Sequence, residues 1–95
     1  MPLKFEWNTN KAKKNIEKHG VSIDEASTVF SDPLSMTYDD PDHSYGENRY
    51  IIIGLSSNGK LLFISHVEKD GIIRIISARQ LTRKERKQYE QQYIQ

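Results

Sequence analysis

The chain has 95 residues, 36% of them hydrophobic and 28% charged, with a formal net charge of +1 and no cysteine. That length fits a single domain, and the apolar content separates it from disordered chains. A disulfide scaffold, a cysteine-ligated metal site and a cysteine nucleophile are excluded, and the near-neutral balance means that any polyanion-binding signal has to be local.

A short strand is expected over Leu3 to Trp7. This start has no signal-peptide core and no apolar run approaches the ~20 residues of a membrane span, so a cytoplasmic protein with no membrane partner is expected. Thr9 or Asn10 can cap a helix with Ala12, Ile16 and His19 along one side, and Gly20 is its natural stop. Ser22 and Glu25 read as a capping box and Val21 and Ala26 as a hydrophobic staple. Ile23, Ala26, Val29 and Phe30 form the apolar stripe of this second helix, which Asp32-Pro33 ends. An edge strand is expected near Leu34 to Tyr38, and the acidic stretch Asp39 to Glu47, with Pro41 and Gly46, reads as a surface loop.

Between Arg49 and Arg79, three apolar runs are separated by Ser57-Asn58-Gly59-Lys60 and Lys69-Asp70-Gly71, which predicts an antiparallel meander. If both turns have two central residues, one face carries Arg49, Ile51, Ile53 and Leu55, then Leu62, Ile64, His66 and Glu68, then Ile73, Ile75, Ser77 and Arg79. The other carries Tyr50, Ile52 and Gly54, then Leu61, Phe63, Ser65 and Val67, then Ile72, Arg74, Ile76 and Ala78. This register puts Arg49 opposite Glu68 and Arg79 opposite Leu62. Both faces are rich in apolar residues, so both are expected to be at least partly covered. A last helix opens with a capping box of Thr82 and Glu85 and places Tyr89 and Tyr93 on one side.

The informative local feature is the run Arg74, Arg79, Arg83, Lys84, Arg86 and Lys87, interrupted among acidic residues only by Glu85. Arg83 and Lys84 fall in the first turn of the last helix, where the macrodipole disfavours cations. An anion such as a phosphate at that helix start would offset the cost, and a solvated basic helix is the plainer alternative. His66 and Glu68 share a strand face, which suits proton transfer. An ion pair with Arg49 is the plainer reading of Glu68, and a partly buried neutral role the plainer one of a histidine among isoleucines. In this register Arg79 and His66 stand roughly 13 Å apart, which argues against one tight site. His19 and His43 are weaker candidates, and the three histidines lack metal-ligand spacing. Asp39, Asp40 and Asp42 lack the offsets of a calcium loop, and Gly54, Gly59 and Gly71 form no nucleotide fingerprint, so neither metal nor cofactor is expected. Tyr89 can pack its helix or stack on a base.

The chain also resembles, nearly end to end, the BrnT family of ribonuclease toxins from type II toxin-antitoxin modules. The resemblance is carried by Phe5-Glu6-Trp7, Lys11, Asn15, Lys18-His19-Gly20-Val21-Ser22, Glu25-Ala26, Phe30, Asp32-Pro33, Arg49 and Gly54. Its most specific stretch is Arg74-Ile75-Ile76-Ser77-Ala78-Arg79, followed by Glu85, Tyr89 and Glu90. The chain departs from the family pattern at Asn8, Ile23 and Gln80-Leu81. The resemblance implies an α+β, RelE-like fold with N-terminal helices on an antiparallel sheet and a C-terminal helix. It further implies RNA cleavage that stops translation and inhibition by a cognate BrnA-like antitoxin, in a dimer of toxin-antitoxin heterodimers that reaches operator DNA only through the antitoxin. On this reading Arg79, with Arg74 or Arg83, stabilises the transition state, His66 or Glu68 moves protons, and Tyr89 positions the RNA. Arg83, Lys84, Arg86 and Lys87 bind its backbone. The alternative is a non-catalytic adaptor or co-repressor whose basic corner binds nucleic acid or an acidic partner.

Overall fold

Each helix start follows from one short polar side chain. In the computed structural model, which describes residues 3–40 and 47–92, Asn8 accepts the Lys11 N–H at 3.0 Å and opens α1 (Thr9–His19). The cap is therefore Asn8, one residue before Thr9 and two before Asn10, the expected caps. Gly20 closes the helix with a φ of 69°, a left-handed value that favours glycine. Ser22 accepts the Glu25 N–H at 3.0 Å at the start of α2 (Ile23–Thr28), and a single 3₁₀ turn follows at Val29–Ser31. Thr82 and Glu85 complete both halves of a capping box at α3 (Arg83–Gln91). Asp42, His43 and Tyr93, named above as candidates, lie outside the described residues, as does most of the expected acidic loop.

Five strands form one sheet in the order β1-β5-β4-β3-β2: β1 (Lys4–Glu6), β2 (Met36–Asp39), β3 (Arg49–Leu55), β4 (Leu61–Lys69) and β5 (Ile72–Gln80). The meander is antiparallel as expected, whereas β1 runs parallel to β5 along the far edge. The β4–β5 connection is the predicted two-residue turn, with Asp70 at φ 53° and Gly71 at φ 77°. The Asn58-Gly59 turn is different, because only Gly59 takes a positive φ. Ser56 N–H donates to Lys60 O at 2.8 Å, so three residues make the loop. This turn is tied to α2, where Ser56 Oγ donates to Glu25 at 2.7 Å and Ser57 N–H to Thr28 Oγ1 at 2.9 Å.

One extra loop residue shifts β3 by one position against β4 and exchanges its faces. Arg49 consequently stands opposite Val67, not Glu68. A second correction comes from a bulge between Ser65 and His66, which leaves Ile76 without a pairing partner. Glu68 faces Ile73 as the turn dictates, but past the bulge Arg79 faces Phe63 instead of Leu62. Tyr50, Ile52, Leu62, Ile64, His66, Ile73, Ile75 and Ala78 therefore share one face, and Ile51, Ile53, Phe63, Ser65, Arg74, Ser77 and Arg79 the other.

The first face carries the core, in which Val21, Ala26 and Val29 of the helical layer and Leu62, Ile64 and Ala78 of the sheet are fully buried. Ile16, grouped above with Ala12 and His19 along one side of α1, is half exposed, and the helix turns Asn15 inward. The Asn15 amide donates to Val21 O and Ala78 O, both at 2.8 Å, and its oxygen accepts Ala78 N–H at 3.1 Å. One polar side chain thus rivets α1 to β5 just before Arg79. α3 lies over part of the second face, tied there through Glu85, Tyr89 and Gln92, and none of its residues is buried. Among the described residues no helix is long and apolar enough to cross a membrane.

Candidate functional site

The end of β5 and the start of α3 form a cationic corner around Arg79. β5 projects this side chain on the α3 face, where its guanidinium lies 4.1 Å from the ring centroid of Phe63, its cross-strand partner. That contact seats the permanently charged fork over the ring. Two of those nitrogens meet the Glu85 carboxylate at 2.7 and 3.0 Å, and one also reaches Gln80 O at 3.2 Å. Glu85 Oε1 accepts in addition the backbone N–H of Thr82 at 2.8 Å. The bonds from Arg79 hold the Glu85 carboxyl down to about 2, and the reciprocal bonds raise the already high value of Arg79.

Glu85 also borders a cleft of about 320 Å³ between α3 and the sheet, together with Tyr38, Ile53, Phe63, Gln88, Tyr89 and Gln92. The Tyr89 hydroxyl is 3.4 Å from Leu34 O and that of Tyr38 is 3.4 Å from Gln92 Oε1. Arg83, Lys84, Arg86 and Lys87 are exposed on the outer side of α3. Arg74 is exposed as well. The bulge returns it to the face of Arg79, since their partners Val67 and Phe63 are four residues apart on β4, roughly 13 Å at ~3.3 Å per residue.

His66 and Glu68 lie elsewhere. His66 is fully buried on the opposite face, edge-on to Phe30 with centroids 4.9 Å apart and stacked on Tyr50 at 5.7 Å. Its Nε2 is 3.5 Å from Oε1 of the exposed Glu68, yet neither ring nitrogen has a hydrogen-bond partner among the described residues. Burial lowers its pKa below the ordinary histidine value, and the Glu68 charge opposes this only in part. Arg49, the alternative partner for Glu68, lies 3.9 Å from Glu47.

The structure therefore brings Arg79, Arg74, Tyr89 and the basic side of α3 to one face and leaves His66 and Glu68 on the other. Among the described residues no three His, Asp or Glu side chains converge as metal ligands. Sequence reasoning treated Glu85 as a cap and a break in the basic run, and overlooked it as the direct partner of Arg79. The available signal was its position, six residues after Arg79 and at the N3 site of a capping box. Phe63 and Tyr38 were missed because both depend on strand register.

Comparisons with known proteins agree with this architecture. The family model described as the ribonuclease toxin BrnT of type II toxin-antitoxin systems matches residues 7–85. The structure is similar to the crystal structure of the ribonuclease toxin BrnT of Brucella abortus, with a TM-score of 0.67 and 18% identity, over 86% of this chain and 100% of that one. A search of curated proteins finds no match.

Proposed function

The chain belongs to the BrnT family of ribonuclease toxins of type II toxin-antitoxin systems, and on that premise we propose that it cleaves RNA without a metal at the β5–α3 corner. The observation that carries this reading is Arg79, a guanidinium seated over the Phe63 ring beside an aromatic cleft and a basic helix.

In the proposed reaction the ribose 2'-oxygen attacks the adjacent phosphorus and the bond to the 5'-oxygen breaks. A 2',3'-cyclic phosphate and a 5'-hydroxyl are left. The proton lost by the 2'-hydroxyl balances the one gained by the 5'-oxygen. Negative charge accumulates on the non-bridging oxygens, and the Arg79 fork, permanently charged and geometrically matched to two oxygens, stabilises it. Tyr89, with Tyr38 across the cleft, offers a ring against which a base can stack. Arg74 along the same face and Arg83, Lys84, Arg86 and Lys87 on α3 contact the flanking backbone. His66 and Glu68, expected to move protons, lie across the sheet from a phosphate on Arg79. The reading therefore places the rate enhancement in charge stabilisation and passes the protons through solvent at the open corner.

Cleavage of cellular RNA would stop translation, and a cognate BrnA-like antitoxin would neutralise the toxin in a dimer of heterodimers that contacts operator DNA only through the antitoxin. The deciding experiment is RNA cleavage by the purified chain in EDTA, beside Arg79→Ala. Metal-free turnover lost in a folded Arg79→Ala protein supports the reading. Binding without turnover, with isolated RNA and with ribosomes, would favour a non-catalytic nucleic-acid module.

A further inference from the structure

The cationic corner has room for an anion, and in this conformation the protein supplies its own. Glu85 presents two carboxylate oxygens to two Arg79 nitrogens at 2.7 and 3.0 Å, while one of them also accepts the Thr82 N–H at 2.8 Å. A guanidinium fork and a backbone N–H converging on two oxygens is also how a phosphodiester would be held. The macrodipole cost of Arg83 and Lys84 in the first turn of α3 is relieved by the same carboxylate. Glu85 also lines the cleft of about 320 Å³ that runs between Tyr38 and Tyr89, so the contested seat opens directly onto space for a nucleotide.

We infer that Glu85 is an internal competitor for the phosphate seat on Arg79, and that RNA binds by exchanging its scissile phosphate for this carboxylate. The inference rests on the reading of Arg79 given above and deepens it by naming the contact that substrate has to break. Phe63 holds the guanidinium in place during the exchange, because the stacking contact does not involve Glu85. The displaced carboxylate gives up the Arg79 nitrogens and the Thr82 N–H and turns to water, since it is partly exposed on the first turn of α3. No covalent step is involved.

The test is the affinity for a short RNA whose 2'-hydroxyls are methylated, so that binding is read without cleavage. Glu85→Gln retains a capping oxygen at N3 and loses the charge-assisted pair. It should bind about tenfold more tightly than the parent, equivalent to ~1.4 kcal/mol. Glu90→Gln removes the same charge from the same helix and should leave affinity nearly unchanged. In an Arg79→Ala background the gain from Glu85→Gln should disappear. If Glu85→Gln binds no better than Glu90→Gln, or if its gain survives without Arg79, the exchange is wrong. Should Glu85→Gln fail to fold, Glu85→Asp, one methylene too short for both Arg79 contacts, should show a smaller gain of the same sign. Arg79→Ala separates the two levels. Unchanged binding and cleavage would overturn the reading of Arg79 itself, whereas weakened binding with no gain from Glu85→Gln overturns the exchange alone.

Discussion

His66 and Arg79, both offered by the sequence for catalysis, stand on opposite faces of the sheet, and the two faces treat them in opposite ways. On the α1–α2 face His66 is sealed between Phe30 and Tyr50, without a hydrogen bond for either ring nitrogen from the described residues. On the α3 face Arg79 is partly exposed, fixed by a ring below and a carboxylate beside it. Burial removes charge from the first and pairing preserves it on the second. The difference teaches that which side of a strand a residue occupies, more than its chemistry, decides whether it can meet a polyanion.

The largest expected effect falls on the open face and on activity alone. Arg79→Ala should lower cleavage about a hundredfold or more, while its urea midpoint barely moves, because a partly exposed ion pair contributes little stability. A large loss of stability would make Arg79 a structural residue and break the contrast. The closed face should show the reverse. Asn15→Ala leaves Val21 O, Ala78 O and Ala78 N–H without their partner in a buried seam, for a cost of about 3 kcal/mol by urea unfolding. Any cleavage defect in that variant should follow from the unfolded fraction.

The buried histidine sharpens the comparison through pH. His66 has a lowered pKa in the folded protein, so between that value and the ordinary 6.5 the unfolded chain binds more protons than the folded one. Stability contributed by the neutral ring is present above 6.5 and is lost as pH falls, by at most ~1.4 kcal/mol per pH unit. His66→Phe should remove that slope between pH 7 and pH 5 while keeping the aromatic packing. Retention of the full slope in the variant would assign it to other groups.

How much of this could be read from the chain depended on how far each determinant lay from the feature it determines. The capping residues Ser22 and Thr82 act within three positions, and both helices start where they indicate. Asp70-Gly71 makes its expected two-residue turn, whereas Asn58-Gly59 does not, because Ser56 and Ser57 are held by Glu25 and Thr28 of α2. That distant grip, and the bulge at Ser65, reassigned whole strand faces. The basic run around Arg79 is contiguous and was legible. Its stacking on Phe63 and the cleft shared with Tyr38 arise only once the register is correct. Asn15 was recognisable through resemblance, but its role as a rivet to Ala78, 63 positions away, requires the fold.

The smallest expected effect tests whether the two faces form one cooperative unit. Thr82 accepts the Glu85 N–H at 3.2 Å, and Thr82→Ala removes this cap for about 1 kcal/mol of helix stability. Because α3 buries no residue, and the Arg79–Glu85 pair and the Tyr89 contact help tie it to the sheet, this loss should remain local. Amide exchange should quicken across Arg83–Gln91 while the amides of β4, in the middle of the sheet, keep their protection. A matching loss of protection in β4 would mean that α3 and the core unfold together. Local fraying alone would leave the corner able to open under a ligand while the closed face stays folded.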